Sequence, residues 1–288
     1  MVYKTAKEII EYFKSIKRTN EEIVTLKIKE STINEIGYKS FIDLAQLYHF
    51  KMLTPNKIDN NTTELIFQRL NQENSFHKTE NNSDEKYGIE SDFFNIDKSS
   101  KFSFLYHYEL ALNFAKIKTV KSILNLGVNK GDEFKIIKEM ISNDEWINKN
   151  LIGIDYSKSA IEYAKNCLPD KNISFISHDI NKLDLLDLGR FDLLISIGTL
   201  QSVNIDFKKT FMNLVQNYLE SNGSIILGFP NCRWIDKEMI YGATVPNYSF
   251  PEMSAVIKDI YFCKKYLQQK KYRVTITGKD YLFLVATK

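Results

Sequence analysis

The sequence predicts an α/β protein: a doubly wound, mainly parallel sheet preceded by a small N-terminal α+β region. Three observations carry that expectation. From residue 103 onward, apolar strand-like runs alternate with amphipathic helical stretches at βα spacing. The first of these strands runs into glycines at Gly127 and Gly131, in "ILNLGVNKGDEF" (residues 123–134), and then into a charged helix start. The chain finishes with "YRVTITGKDYLFLVATK", two strands joined by a tight Gly-Lys-Asp turn, an antiparallel hairpin closing an otherwise parallel series.

Taken in order, "TAKEIIEYFKSIK" and "KSFIDLAQLYHF" have helical spacing, while "VTLKIK" and "ELIFQRL" alternate or run apolar like short strands. Composition shifts around residues 71–102, which are rich in Asn, Ser, Asp, Glu and Lys. Residues 1–75 are therefore assigned to the α+β region, 76–102 to a polar linker or lid, and 103–288 to the main domain. That domain opens on a helix with Phe104, Tyr108, Ala111 and Ala115 along one face. "SILNL", "NLIGIDY", "ISFISHDI", "FDLLISIG" and "SIILGF" follow as strands. Between them lie the helices "DEFKIIKEMI", "SAIEYAKNC", with a Ser159…Glu162 capping box, and "FKKTFMNLVQNYL", stopped by Asn222-Gly223. A second capping box, Ser249 to Glu252, starts the last helix.

Composition narrows the function classes. The 288 residues are 43% hydrophobic and 26% charged, with a net charge of +3 spread along the chain. That balance leans away from nucleic acid, which asks for a clustered basic surplus, with RNA left open. The N-terminal stretch, interrupted by Lys4, Glu8 and Glu11, reads neither as a signal peptide nor as a membrane span. Three scattered cysteines and four scattered histidines suggest reduced thiols, a cytoplasmic location and no metal site. Nothing here speaks to oligomeric state.

Open parallel sheets bind ligands at the carboxyl ends of their strands. At those ends Gly127 and Gly131 let a ligand approach the backbone, Asp155 is suited to the two hydroxyls of a ribose, and Asp179 to an adenine amino group. After the fourth strand, "SIGTLQS" offers backbone groups and Gln201. Asp132-Glu133 at the helix start would repel a pyrophosphate, and neither G-K-[ST] nor G-x-G-x-x-G is present. On the acceptor side, Arg233 could pair an acid, with Trp234, Tyr241 and Tyr248 as a wall. Tyr106 and His107, on the entering helix, are candidates to face the cofactor or act as base. The plain alternatives are a helix cap for Asp155, helix-dipole acids for Asp132-Glu133, an ordinary packed loop around Arg233, and a surface or packing histidine for His107.

Residues 103–288 resemble a class I S-adenosylmethionine (SAM)-dependent methyltransferase of the small-molecule type. The resemblance rests on "ILNLGVNKG", "LIGIDYSKSAIEYAK", "ISFISHDI", "FDLLISIGTLQSV" and "YLESNGSIILGFPN", in that order, and on the terminal hairpin. It implies a Rossmann-like seven-stranded sheet with SAM as cofactor. The loop Asn125, Gly127, Asn129, Gly131 would hold the methionine part, Asp155 the ribose, and Asp179 the adenine with Ile180 packing nearby; Tyr156, Ser196 and Gly198 would also bind the cofactor. The family usually has Asp or Glu where this chain has Asn125, and glycine where it has Asn129. Asn125 supplies no charge to the methionyl ammonium, whereas Asn129 tolerates positive φ. The implied reaction is methylation of an oxygen, nitrogen or carbon of a small organic molecule. The alternatives are a non-catalytic scaffold of the same fold and a methyltransferase acting on RNA or protein.

Overall fold

The computed structural model describes residues 2–17, 19–74, 87–91, 94–202, 204–243 and 252–288. The chain divides into two compact units, Met1–Lys78 with Arg233–Tyr241, and Thr79–Cys232 with Gly242–Lys288.

The first unit begins with β1 (Val2–Tyr3), α1 (Ala6–Ile16), β2 (Ile23–Lys29), α2 (Glu30–Ile36), α3 (Tyr38–Leu47), β3 (Phe50–Met52), β4 (Asn56–Lys57) and β5 (Thr62–Arg69). Thr5 and Glu8 cap α1 reciprocally, each side chain accepting from the other residue's backbone N–H. β2 alternates strictly, burying Val24, Leu26 and Ile28, and pairs antiparallel with β5 in the sheet order β1-β2-β5-β3. One face of that sheet closes on Phe13, Phe41, Phe50 and Phe67, with the Phe13 and Phe67 rings edge-on at 5.2 Å.

The second unit contains α4 (Phe102–Phe114), β6 (Ser122–Leu126), α5 (Asp132–Met140), α6 (Asn143–Ile147), β7 (Asn150–Asp155), α7 (Lys158–Cys167), β8 (Ile173–Ser177), a 3-10 segment (Ile180–Leu185), β9 (Phe191–Ile197), α8 (Phe207–Asn213), a π turn (Leu214–Tyr218) and β10 (Leu219–Pro230). Next comes a hairpin, β11 (Cys232–Ile235) and β12 (Glu238–Tyr241), most of which belongs to the first unit. There Ile235 and Ile240 pack on Leu70, and Gln46 donates to the Met239 carbonyl. The chain ends with α9 (Ser254–Gln269), β13 (Arg273–Gly278) and β14 (Tyr281–Thr287).

The main sheet runs β13-β14-β10-β9-β6-β7-β8. β6 to β10 pair parallel with one another, while β14 is antiparallel to both β10 and β13. This is the seven-stranded sheet with a terminal hairpin that the sequence predicts. β6 has β7 on one side and β9 on the other, so strand order reverses there and a crevice opens beyond its carboxyl end.

Three helix boundaries differ from the sequence expectation. Ser157, not Ser159, caps α7, its hydroxyl accepting from the Ala160 N–H. Asn222-Gly223 lies within β10 rather than at a helix stop, because Leu219 already pairs with Phe191 and the following residues bulge before pairing resumes at Ser224. The last helix starts at Ser254, and Glu252 instead bonds the Ser254 N–H and hydroxyl. Ser249 and Pro251 lie outside the described residues.

Candidate functional site

The loop between β6 and α5 alternates into left-handed backbone: Gly127 has φ +78°, Asn129 +42° and Gly131 +84°. That path returns the chain from the strand to the helix within five residues. At Gly127 a Cβ would lie 2.6 Å from both Cβ and Cγ2 of Thr199, and closer still to its hydroxyl, so no side chain fits. At Gly131, the residue preceding α5, a Cβ would stand 3.1 Å from Leu168 Cδ1. The amides of Gly127 and Val128 donate to the Ile154 carbonyl at 2.7 and 3.1 Å, locking the loop to the end of β7.

Asp155, the last residue of β7, is buried beside this loop. Its Oδ2 accepts from the Asn129 amide at 2.9 Å and its Oδ1 from the Ser157 amide at 3.0 Å. Burial pushes its carboxyl above the usual range, and these two amides work in the opposite direction. Asn125, only 1% exposed, directs Nδ2 toward Glu133 Oε2 at 3.5 Å, while its Oδ1 has no hydrogen-bond partner. Glu133, also 1% exposed, forms an ion pair with Lys98. Burial works against the Lys98 charge, but Glu133, joined by Asp132 and Asp155, outweighs it and the ammonium is held above its ordinary range.

Residues 87–91 and 94–98 lie against this loop as a strap. Asn129 Nδ2 donates to the Tyr87 carbonyl at 2.8 Å, and Lys130 Nζ to the carbonyls of Phe94 and Ile96 at 3.0 and 2.9 Å. The Ile89 amide donates to Ser159 Oγ at 3.1 Å, and Phe94 meets Tyr163 edge-on at 4.9 Å. Tyr87 itself hydrogen-bonds Ser202; its hydroxyl is raised by burial first and by the charge of Asp155 second. Sequence reasoning missed Tyr87 and Lys98 entirely, since a polar stretch without periodicity carries no signal for contacts across tens of residues. Glu133 was visible only as a helix-start acid.

The remaining candidates scatter. Asp179 follows β8 and caps the 3-10 segment, its Oδ1 accepting from the Asn181 amide and Nδ2, while Ile180 is buried in the core of the second unit. Tyr156 is exposed next to Asp155. Ser196 is buried at the end of β9 and donates to the Leu126 carbonyl; Gly198 follows it with φ +75°. Gln201 is exposed in the turn beyond. Tyr106 is 64% exposed, and His107 Nδ1 lies 3.1 Å from Thr277 Oγ1 on β13. β13 is the edge strand, four steps or roughly 19 Å across the sheet from β6. His107 is thus a packing residue between α4 and the edge of the sheet. Arg233 is buried in the first unit, where it donates to the Tyr241 carbonyl at 3.1 Å and lies 3.4 Å from His49 Nε2. Trp234 is buried there too, Tyr241 is exposed, and Tyr248 lies outside the described residues.

These features fit an adenosyl amino acid. The backbone at Gly127 is bare where any Cβ would clash, a carboxylate ends the neighbouring strand, and a buried amide oxygen lacks a donor. A family model described as a methyltransferase domain matches residues 117–275, more than half the chain. Among curated relatives, an EEF1A lysine methyltransferase 2 from Danio rerio is 28% identical over 101 residues, covering 32% of this chain and 42% of the relative. A malonyl-[acyl-carrier protein] O-methyltransferase from Acetivibrio thermocellus is 32% identical over 106 residues, 37% of this chain and 34% of the relative. The match thus spans less than half the length of either. Among solved structures, N-methyltransferase NodS from Bradyrhizobium japonicum, in complex with S-adenosylhomocysteine, aligns over 66% of this chain and 89% of its own at 15% identity and a TM-score of 0.44. The chain belongs to the class I SAM-dependent methyltransferase family, and SAM is its cofactor.

Proposed function

We propose that this methyltransferase moves the methyl group of SAM to an oxygen, nitrogen or carbon of a small organic molecule in the cytoplasm. The observation that carries the reading is the junction of loop and strand: left-handed Gly127, Asn129 and Gly131, with the Asn129 amide bonded to Asp155 at the point where strand order reverses. In this reading the loop backbone receives the methionine part of SAM. Asp155, flanked by Tyr156, receives the ribose hydroxyls, and Asp179 with Ile180 receives the adenine. Ser196 and Gly198 border the site, and Gln201 stands on the acceptor side.

When bound, SAM would supply an already activated methyl group, and its transfer to an O–H, N–H or C–H acceptor would leave S-adenosylhomocysteine and a proton. The chain's own part is then alignment and exclusion of water. The strap over the loop serves the second, with Tyr87 bonded to Ser202 beside Asp155. His107 and Arg233, engaged with Thr277 and with Tyr241, are assigned no step. The modest, dispersed charge favours a small acceptor over nucleic acid.

Titration calorimetry with SAM and S-adenosylhomocysteine tests the cofactor site. Asp155→Ala should weaken both by about 10- to 100-fold, the scale of a hydrogen bond to a charged group. Folded protein that binds neither ligand would leave only the scaffold alternative. Transfer of labelled methyl from SAM into small-molecule, RNA and protein fractions then identifies the acceptor class.

A further inference from the structure

The family's usual acid at the start of the loop is replaced here by Asn125, yet the pocket around that residue is not neutral. Glu133, eight positions later on the first turn of α5, brings a buried carboxylate to within 3.5 Å of Asn125 Nδ2. Lys98, from the strap, forms an ion pair with the other oxygen of the same carboxylate. Three features make this arrangement incomplete as it stands. Asn125 Oδ1 is a buried acceptor without a donor, which is unfavourable unless something fills it. The Asn125–Glu133 contact, at 3.5 Å, is at the outer limit of a hydrogen bond, leaving Glu133 Oε2 weakly used. Lys98 spends one of its three donors on Glu133 and rests otherwise against the Phe104 ring at 5.7 Å.

A buried cation and anion side by side, with acceptor and donor capacity left over on each, complement a ligand that itself carries both charges. The α-amino acid end of SAM is such a ligand: an ammonium with three donors and a carboxylate with acceptors only. Resting on the proposed SAM site, we infer that the Asn125–Glu133–Lys98 group forms a zwitterion receptor in which the missing loop acid has been moved onto α5. Asn125 Oδ1 and Glu133 take the ammonium, and Lys98 takes the carboxylate. Because Lys98 comes from the strap, the cofactor's amino acid end also holds the strap to the loop.

The test compares S-adenosylhomocysteine with 5′-methylthioadenosine, which keeps the nucleoside but lacks the amino acid end. Binding of each is measured by titration calorimetry on full-length protein, with thermal unfolding recorded for every variant. Glu133→Gln and Lys98→Met should weaken S-adenosylhomocysteine about 10- to 100-fold and change methylthioadenosine by less than about twofold. The double variant Asn125→Asp/Glu133→Gln, which returns the charge to the loop, should recover most of the lost affinity. Should Glu133→Gln fail to fold, Asn125→Leu removes the orphan acceptor and the long Nδ2 contact with Glu133 but leaves the ion pair intact, and should give the same split between ligands. Equal losses for both ligands, or no loss for either, would overturn the receptor while leaving the SAM site standing. Wild-type protein that binds neither ligand would overturn the SAM site itself.

Discussion

In the first unit β2 buries Val24, Leu26 and Ile28 and exposes Ile23, Thr25, Lys27 and Lys29, whereas in the second β9 buries every residue but Asp192, which is half-buried. The contrast follows from strand direction. An antiparallel sheet can leave one face to water, so its strands alternate; a parallel sheet needs crossover helices on its faces, so its strands run apolar throughout. The consequence is functional. With both faces covered, the parallel sheet offers polar groups mainly where its strands end, and Asn125, Asp155 and Ser196 all stand at or one residue from such ends. The alternating sheet gathers no comparable set: among the described residues its strands bury one polar residue, Thr63 on β5.

If that division of labour is real, damage should stay where it is made. Phe13→Ala empties the centre of the first unit's aromatic cluster and should cost that unit about 3–5 kcal/mol. Hydrogen exchange in peptides from α1, β2 and β5 would read the loss, while affinity for SAM should stay within about twofold of wild type. A larger change in affinity would break the separation between the two regions. Gly127→Ala is the converse experiment. A Cβ driven into Thr199 at a left-handed position should cost about 2–4 kcal/mol, abolish measurable SAM binding, and leave exchange in the first unit unchanged.

Asn129→Gly sharpens the comparison within the second unit. Glycine keeps the left-handed backbone and the amide bond to Asp155 but loses the side-chain bond to Tyr87. Peptides from residues 87–98 should exchange faster, with a global cost near 1 kcal/mol. The smallest expected effect lies in the first unit. Burial, and then the charges of Arg233, Lys17 and Arg69, hold His49 below the ordinary imidazole range. The unfolded chain therefore takes up its proton first, so stability falls as pH drops below about 6.5 toward the lower folded value. The urea midpoint of the first unit should fall more between pH 7.5 and 5.5 in wild type than in His49→Asn, asparagine being able to keep the φ of +61°.

The sheet and most of the loop after β6 were legible because they are local. Gly127, Gly131 and Asp155 are each fixed by the strand they follow or end, and strands announce themselves in the sequence. The two asparagines could be noticed but not interpreted. Asn129 makes sense only against Tyr87, and Asn125 only against Glu133, whose side chain must first be carried inward by α5. Helix ends were misread where tertiary pairing overrode local signals, as when Leu219 joined the sheet before Asn222-Gly223 could act as a stop. Arg233 looked like a site residue because its loop is rich in aromatic and polar groups. Its bond to the Tyr241 carbonyl is local, eight residues on, but its place beside His49 depends on a residue 184 positions away.

The β11–β12 hairpin has a bearing on how the protein is made. The first unit cannot close Ile235 and Ile240 onto Leu70 until the ribosome has passed residue 241. The second cannot pair β10 with β14 until residue 287. The first unit's five-stranded sheet is complete by residue 69 but waits for its hairpin, so the nascent chain holds one unit with uncovered apolar surface and one partly built sheet at once, both open to chaperones during that interval.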